Sequence, residues 1–310
     1  MRIRSILLPA ALLPFGVAAA ENMLTIDPYR LGIEQSEAAA LAKAVGEASW
    51  RDAESILFRG SETDPDNAAL LRALGIAHYQ SGRYYPAAAA LKRADTISPL
   101  EREARFLLAN SFLRLERRHW ARAELEQLLR SHPEQEPYRL AIARVHYHQQ
   151  RFGAGVSELE QTIALTGGSV ETYDLLGQCL EGLGRLGEAS EAYRRAISLG
   201  DEGSAGTVWP HFHLGSLLHD LGDLEPSRES LELAASIDPG SATVRLELGI
   251  VLRKAGELDE AAAALEIAAR HAPDDPAIQY ALAGVYRELG QQERSASAMQ
   301  RFLRLSPSPR

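Results

Sequence analysis

Residues 248–273 read LGIVLRKAGELDEAAAALEIAARHAP. The stretch contains no nucleophile beside a base, no metal-ligand spacing and no phosphate-binding loop. Close versions of it occur elsewhere, as LGIAHYQSGRYYPAAAALKRADTISP at 74–99 and LGQCLEGLGRLGEASEAYRRAISLG at 176–200. Such repetition has to be interpreted before any other pattern, because each copy corresponds to one supersecondary element of a repeat fold.

The repetition has a period of 34 residues. The repeats fall at 34–67, 68–101, 102–135, 136–169 and 170–203, and after four additional residues at 204–207 they continue at 208–241, 242–275 and 276–309. On both sides of a short turn, apolar residues recur at the i, i+3, i+4, i+7 spacing of an amphipathic helix. Each repeat is therefore predicted to be a pair of helices.

Small residues mark the predicted contact between the paired helices. In the first helix, seven of the eight repeats carry glycine or alanine, as at Gly75 and Gly249, and Leu41 is the exception. In the second helix a small residue is followed four positions later by a large apolar one, as in Ala261 and Leu265. Glycine inside a helix costs about 1 kcal/mol relative to alanine. Its recurrence at one position predicts that the two helices approach closely there.

Turn residues separate the helices. A helix C-cap with positive φ favours glycine, and glycine occupies the internal turn at Gly82, Gly184, Gly222, Gly256 and Gly290. Most repeats end in proline, which cannot continue a helix but can begin the next one. Gly167 and Asp201 stand where proline is expected.

This pattern resembles the tetratricopeptide repeat family over residues 34–309. The resemblance implies an all-α fold, a right-handed α-solenoid of eight helix-turn-helix repeats. The repeat at 34–67 lacks the small residue of the first helix, and the repeat at 136–169 carries Gly155 and Thr162 at positions that usually pack tightly. The stretch DEGSAG at 201–206 interrupts the period, and we expect it to bend the solenoid or to present a loop.

The resemblance also suggests where a partner binds. In tetratricopeptide arrays ligands usually lie along the concave face, which the first helices line. The corresponding positions on the first helices of this chain give the candidate groove residues. They are Arg72, Tyr79, Phe106, Asn110, Arg114, Arg144, Tyr147 and His148 in the N-terminal half, Asp174, Gln178 and Glu181 in the centre, and Trp209, Phe212, His219, Leu246, Ile250, Arg253, Lys254, Tyr280 and Arg287 in the C-terminal half.

Our hypothesis is that an extended peptide lies on these residues. Asn110, Gln178 and the arginines would hold its backbone, and aromatic rings such as Phe106 and Trp209 would take its apolar side chains, because aromatic and arginine residues carry most interface energy. The alternative is that many of these side chains only cover the inner surface. The carboxylate clamp of some family members is not supported, because Ile76 and Leu107 stand where polar residues are required.

Composition limits the class of partner. The chain has a formal charge of −9, with 45% apolar and 6% aromatic residues. Binding to a phosphate backbone requires a basic face, so nucleic acid is disfavoured as a ligand.

The N-terminus has the organisation of a secretory signal peptide. Arg2 and Arg4 precede an apolar run at 6–17, and Ala20 closes an A-x-A site. A buried helix is the alternative, but two prolines within the run oppose it. We expect cleavage after Ala20, a short N-terminal segment at 21–33 and a periplasmic or secreted protein.

Reactive groups are sparse. Cys179 is the single cysteine and is interpreted as a small buried apolar residue. The HYH motif at 146–148 and the HFH motif at 211–213 place histidines two residues apart, about 200° around a helix, so each pair points to opposite sides. We therefore expect no metal, no cofactor and no catalytic residue.

The sequence thus favours a non-enzymatic protein-protein interaction scaffold that binds peptide or protein partners, in bacterial cell-envelope assembly or trafficking. The alternative is a polysaccharide-binding or export solenoid that stacks sugars on the groove aromatics. An enzyme is the least favoured class. No further helix follows the last repeat in the sequence, so Phe302 and Leu303 would partly face water, which suggests self-association or a partner there. A small, harmless apolar patch is the alternative.

Overall fold

A computed structural model describes residues 26–200 and 205–306. The predicted signal peptide at 1–20 and residues 201–204 of the predicted interruption lie outside the described residues. The chain divides after Gln149 into two compact bodies. Their described parts are residues 26–149, here called the N-lobe, and residues 150–306, here called the C-lobe.

Seven α-helices follow a short 3₁₀ helix, Pro28–Arg30, in the described part of the N-lobe. They are α1 (Gln35–Gly46), α2 (Trp50–Thr63), α3 (Ala68–Gln80), α4 (Tyr84–Ile97), α5 (Arg102–Arg114), α6 (Arg118–Ser131) and α7 (Glu136–His148). Each helix packs against the next one in the chain, and α3 also contacts α5. Odd-numbered helices are the first helices of the repeats, and even-numbered helices are the second.

Nine α-helices make up the described part of the C-lobe. They are α8 (Phe152–Thr166), α9 (Val170–Gly182), α10 (Leu186–Leu199), α11 (Val208–Leu221), α12 (Leu224–Ile237), α13 (Ala242–Ala255), α14 (Leu258–His271), α15 (Pro276–Glu288) and α16 (Gln292–Leu305). Neighbours in sequence again pack together, and the first helices α9, α11, α13 and α15 contact one another in that order. A 3₁₀ turn, Ala205–Thr207, leads into α11.

The all-α prediction is confirmed. Across residues 26–200 and 205–306 the regular structure is helical, and both lobes are stacks of antiparallel helix pairs with the α-solenoid organisation of tetratricopeptide repeats. In the same ranges no helix combines the length and the apolar character required to cross a bilayer.

The internal turn uses the same backbone conformation in all eight repeats. The fifteenth residue of each repeat has a positive φ, between 54° and 90°, in the left-handed region. Glycine fills this position in five repeats, as predicted, because it has no Cβ to clash there. Ala48, Glu116 and Gln150 occupy it in the other three, with φ of 54°, 56° and 56°.

The predicted close approach of paired helices is also confirmed. A methyl group added to Gly75, Gly177, Gly215 or Gly249 would lie 2.4 to 2.7 Å from a side-chain carbon of the paired helix. The residues in contact are Leu91, Tyr193, Leu231 and Leu265, each sixteen positions further on. All four are fully buried. Glycine is therefore required so that the large residue of the second helix can pack directly against the first-helix backbone.

Side-chain caps begin several first helices. Asn67 accepts a hydrogen bond from the backbone N–H of Leu70, at 3.1 Å, and Asp275 accepts one from Ala277, at 2.8 Å. Ser169 and Ser241 cap α9 and α13 in the same way. Such caps contribute about 1 kcal/mol each. They mark where these four repeats begin, and three of the four caps follow a proline of the inter-repeat loop.

The glycine at the end of repeat 136–169 has a structural reason. Gly167 and Gly168 have φ of 86° and 75°, and Gly167 is the C-cap of α8. Its N–H donates to the carbonyl of Ile163, at 2.8 Å. A left-handed C-cap ends this helix where proline follows the second helix in most other repeats, because glycine adopts that conformation without strain.

Candidate binding face

The first helices of the C-lobe form one continuous surface, here called the first-helix face. On each of these helices, residues spaced by three and four positions form a single stripe. The stripes of α9, α11, α13 and α15 adjoin because these helices contact one another. The face is defined by Gln178, Trp209, His219, Leu246, Ile250, Arg253, Lys254, Tyr280 and Arg287.

Each pair of adjacent first helices is joined by a polar contact at this face. Asp174 Oδ1 lies 2.8 Å from His213 Nδ1 and joins α9 to α11. His219 Nδ1 lies 2.8 Å from Glu247 Oε1 and joins α11 to α13. Arg253 donates to Glu288, with Nε 2.9 Å from Oε1, and joins α13 to α15. These contacts hold the helices of the face in a defined register.

An aromatic cluster surrounds His213. Its imidazole stacks on the ring of Tyr193, with centroids 5.6 Å apart, and on the ring of Trp209, at 6.1 Å. The Tyr193 hydroxyl donates to Glu181, at 3.0 Å, and Gln178 Nε2 donates to Asp174, at 3.0 Å. Trp209 itself is only partly buried.

Burial and charge act on this cluster in opposite directions. Burial disfavours the protonated form of His213, but the Asp174 and Glu181 carboxylates favour it, and the pKa of His213 is raised. Burial raises the pKa of Glu181, and the hydrogen bond from Tyr193 only partly opposes it. The cluster therefore favours a protonated imidazole beside the Asp174 carboxylate.

Towards the C-terminal end the face becomes apolar and then basic. Leu246 and Ile250 of α13 are partly buried. Tyr280 of α15 is 57% exposed and lies 5.3 Å from the ring of Phe302. Lys254 and Arg287 are exposed at the same end. An apolar stripe flanked by cations suits a peptide with apolar side chains and an acidic end.

Five predicted groove residues lie in the core instead. Tyr79, Phe106, Asn110, Asp174 and Phe212 are between 2% and 8% exposed. Their side chains are not available to a ligand in this structure, which corrects that part of the groove hypothesis. The rings pack on neighbouring aromatics, as Phe106 does on Tyr138 at 4.9 Å. In these repeats the stripe residues fill the contact between helices.

The remaining predicted residues of the N-lobe are half-buried, except for His148, which is exposed. Arg72 Nη1 donates to Glu101, at 2.7 Å. The guanidinium of Arg114 lies over the ring of Tyr84, 5.6 Å from its centroid. Arg144 and Tyr147 are also partly buried, on α7. The N-lobe residues therefore combine cations and rings, and their role in binding stays a prediction.

Sequence reasoning missed the inter-helix pairs. The HFH motif raises only a metal interpretation for His213, and the helical periodicity does not point to Glu247. One signal was present in the sequence. Tyr193 stands where leucine occupies the equivalent position of most other repeats, and a hydroxyl there requires a hydrogen-bond partner.

Other chemistry is limited in the part of the chain that the structure describes. No three His, Cys, Asp or Glu side chains lie close enough together there to hold a metal ion. Cys179 is buried, as expected, and burial raises its pKa to about 12. A thiol with that pKa is not a nucleophile at neutral pH.

Two sequence models of the tetratricopeptide repeat match the chain. One covers residues 106–170 and 246–308, and the other covers residues 170–199 and 210–241. Together they cover more than half of the 310 residues. No curated protein matches the chain by sequence.

Solved structures are similar in fold. A tetratricopeptide repeat protein from Parabacteroides merdae ATCC 43184 has a TM-score of 0.65 at 16% identity, over 80% of this chain and 96% of that one. PilF of Pseudomonas aeruginosa has a TM-score of 0.60 at 18% identity, over 67% of this chain and 93% of that one. A chain of the APC/C hetero-tetramer Cut9–Hcn1 has a TM-score of 0.61 at 17% identity, over 84% of this chain. The match spans half the length of that Cut9–Hcn1 chain.

At these identities the likeness concerns the fold alone. The sequence models add the family, and the helix pairs, the glycine contacts and the turn conformation of the structure agree with it. The chain belongs to the tetratricopeptide repeat family.

Proposed function

We propose that this protein is a binding scaffold whose first-helix face holds an extended peptide segment of a protein partner. Tetratricopeptide repeat proteins generally mediate protein-protein interaction. The observation that carries the proposal is the set of contacts between first helices, Asp174 with His213, His219 with Glu247, and Arg253 with Glu288. They fix the face before a ligand arrives, which lowers the ordering cost of binding.

The chemistry of the face indicates what the peptide contains. Apolar side chains would contact Leu246 and Ile250, and an aromatic or aliphatic side chain would pack on Trp209. The Gln178 side chain is placed to hydrogen-bond the peptide backbone. Lys254 and Arg287 would attract a carboxylate of the peptide, because local charge steers association even on an acidic protein.

The test is selection of a peptide from a displayed library, followed by anisotropy measurements with the labelled peptide. We expect Trp209→Ala and Ile250→Glu each to weaken binding at least tenfold, because each removes an apolar contact near the centre of the face. Leu233→Glu is the matched control. Leu233 is an exposed apolar residue on the second helix α12, so its substitution should leave the affinity unchanged.

Failure to select any peptide would refute the proposal, as would equal effects of Ile250→Glu and Leu233→Glu. Thermal unfolding of each variant separates lost binding from lost structure. The other predicted partner contacts remain part of the proposal and are to be substituted next. They are Arg72, Arg114, Arg144, Tyr147, His219, Arg253 and Tyr280.

We infer a place of action in the bacterial cell envelope, with a role in assembly or trafficking of its components and no catalytic activity. The support is the sequence of residues 1–20, with Arg2 and Arg4 before an apolar run and Ala20 at its end. Fractionation of cells that express the full chain tests this inference. A mature protein in the periplasm or medium that begins at Glu21 is expected, and an uncleaved cytoplasmic chain would contradict it.

A polysaccharide is the second candidate ligand. The exposed ring of Tyr280 and the partly exposed ring of Trp209 favour it, since aromatic faces are suited to stacking on sugars. Affinity electrophoresis in gels that contain polysaccharide tests this candidate. Retardation that is lost in Trp209→Ala and Tyr280→Ala, without any peptide ligand, would favour the carbohydrate over the peptide.

A further inference from the structure

One edge of the N-lobe combines exposed aromatic rings with arginines. The edge lies where the second helices α4 and α6 begin, on neighbouring repeats. Tyr85 is 75% exposed and Trp120 is 50% exposed. Arg117 and Arg118 precede Trp120 directly in the sequence. We call Tyr85, Arg117, Arg118 and Trp120 the aromatic–arginine edge.

The ring of Trp120 is held in place although half of it faces solvent. It packs edge-on against Phe112, with centroids 5.4 Å apart. The guanidinium of Arg117 lies over it, 5.9 Å from the ring centroid. A large exposed ring that is already ordered loses little entropy on binding, and tryptophan, tyrosine and arginine are the residues most often found at energetic centres of interfaces.

Helix formation does not account for these arginines. Arg117 is the N-cap of α6 and Arg118 is its first residue, at the positive end of the helix dipole. The first turns of α4, α6 and α8 hold no acidic residue, whereas α10, α12, α14 and α16 each carry one or two, and arginine is the N-cap of α4, α6, α8 and α10. In the described residues no carboxylate pairs with Arg117, and Glu116 lies only within 4.0 Å of Arg118.

The cations at this edge also affect their neighbour. Burial lowers the pKa of His148, and the charges of Arg118 and Arg144 lower it further. What sets this edge apart is the exposed ring of Trp120 beside cations, and exposed aromatic and arginine side chains of this kind are most often found where they serve binding. The edge is therefore better explained by a partner than by folding.

The charge of the chain indicates that partner. Residues 26–149 contain 17 acidic and 17 basic residues, whereas residues 150–306 contain 24 acidic and 13 basic residues. The 220–225 turn of the C-lobe, where α11 ends and α12 begins, exposes Asp220 and Asp223 around the half-exposed Leu221, and its Glu225 already accepts a hydrogen bond from Arg228. The turn therefore combines an exposed apolar residue with neighbouring carboxylates. This chemistry complements the exposed rings and the arginines of the aromatic–arginine edge.

We propose that the aromatic–arginine edge binds the 220–225 turn of a second copy of this chain. Trp120 and Tyr85 would cover Leu221, and Arg117 and Arg118 would pair with the carboxylates around it. The contact joins two different surfaces, so one copy of a bound pair keeps a free edge and the other a free turn, and association continues head to tail. An anionic lipid surface is a weaker candidate, because the excess of acidic residues at 150–306 would be repelled by it.

The test is sedimentation velocity of the mature chain, from 5 to 500 μM, in 50 mM and in 500 mM salt. We expect the weight-average mass to rise with concentration at low salt and to return to that of a monomer at high salt, because salt screens such contacts. Three variants should each weaken association at least tenfold. They are the double variant Arg117→Glu with Arg118→Glu, the single variant Trp120→Ala, and the double variant Asp220→Arg with Asp223→Arg.

The decisive variant combines both charge reversals in one chain, Arg117→Glu, Arg118→Glu, Asp220→Arg and Asp223→Arg. It should restore association to within a few-fold of the natural chain. Arg301→Glu with Arg304→Glu is the control for Arg117→Glu with Arg118→Glu. It changes the net charge by the same amount, but on the exposed side of α16. Circular dichroism confirms that each variant is folded.

Several results would overturn the proposal. One is a monomer at 500 μM in low salt. Another is association that survives both charge reversals made separately, or that is lost only on Leu303→Glu, which would place the contact at the C-terminal helix. Binding of the monomer to vesicles with 30% phosphatidylglycerol, lost in Trp120→Ala, would assign the edge to a lipid surface instead.

Discussion

His213 and Asp174 form a nearly buried pair between two first helices. Their Nδ1 and Oδ1 atoms lie 2.8 Å apart, and the two side chains are 13% and 12% exposed. Burial opposes protonation of the imidazole, but Asp174 and Glu181 outweigh it, so the pKa of His213 lies above its usual value. The pair connects α9 to α11 at the proposed binding face.

The pH dependence of stability follows from this pair. Because the folded-state pKa of His213 is raised, the pair stabilises the protein fully below about pH 6.5 and loses that contribution as the pH rises through the raised pKa. Asp174→Asn should lower the pKa of His213 and reduce the unfolding free energy by about 1.5–3 kcal/mol near pH 6.

Urea unfolding at about pH 6 and pH 9 and histidine titration by NMR measure both effects. The loss should be smaller at the higher pH, where the imidazole is neutral in both chains. Asp220→Asn removes an exposed carboxylate of α11 and is the control. An unchanged histidine titration in Asp174→Asn would show that the pair does not act as described.

Gly177 tests the close approach of paired helices. An added methyl group would lie 2.4 Å from Cε1 of Tyr193. Overpacking of this kind costs about 1–3 kcal/mol, more than the helix propensity gained from alanine. We expect Gly177→Ala to lower the unfolding free energy, as measured by urea denaturation.

Gly187→Ala is the control for the same substitution without a contact. No atom lies within 4 Å of the added methyl group there. This variant should be stabilised by about 0.4–1 kcal/mol through the unfolded state. If Gly177→Ala were equally stabilised, the contact with Tyr193 would be looser than the structure indicates.

Ala48 occupies a turn position that favours glycine. Its φ of 54° lies in the left-handed region, which costs a residue with a Cβ about 1–2 kcal/mol. Ala48→Gly should therefore raise the melting temperature of the chain, despite the greater freedom of glycine in the unfolded state.

The opposite sign is expected at Ala89, which is exposed on α4. Ala89→Gly should cost about 1 kcal/mol, because glycine is disfavoured in a helix. Calorimetry of both variants tests whether their melting temperatures shift in opposite directions. A lower melting temperature for Ala48→Gly would mean that the turn is not strained.

Arg105 is the centre of a buried ion network in the N-lobe. It donates to Asp95 at 2.7 Å and to Glu124 at 2.8 Å, and Lys92 donates to Glu124 at 2.9 Å. Arg105→Met leaves the largely exposed Lys92 as the remaining cation beside the nearly buried carboxylates of Asp95 and Glu124. We expect a loss of about 3–5 kcal/mol in unfolding free energy.

Arg122→Met removes an arginine of the partly exposed pair with Glu126 on α6 and should cost less than about 0.5 kcal/mol. Despite burial, the Leu100 N–H and the Arg105 guanidinium lower the pKa of Asp95. The contribution of Asp95 is therefore present above its usual pKa and is lost as the pH falls through the lowered value. Equal losses in the two variants would contradict a buried network.

The repeat frame was readable in the sequence because packing imposes it. Gly75 and Leu91 are constrained by one contact, and the same contact recurs at a fixed spacing. The periodicity of the sequence therefore predicts the helix pairs and the glycine turns. The turn residues Glu116 and Gln150 were not readable as left-handed, since neither residue type favours that conformation.

The candidate site was only partly readable. Phe106 and Tyr280 are both the fifth residue of their repeats, yet Phe106 is 6% exposed and Tyr280 is 57% exposed. That difference depends on how closely the neighbouring first helices approach, which periodicity does not specify. The pair His213–Asp174 spans 39 residues, and no local pattern links two residues at that separation.

The packing of Tyr193 on Gly177 has a consequence for how this array evolves. Where leucine sits on glycine, one repeat can replace another after duplication or deletion, since the joining surfaces are alike. The repeat with Tyr193 cannot be exchanged in this way, because its hydroxyl needs Glu181 and its ring needs His213 of the following repeat. Recombination within the gene should preserve these two repeats as an inseparable pair.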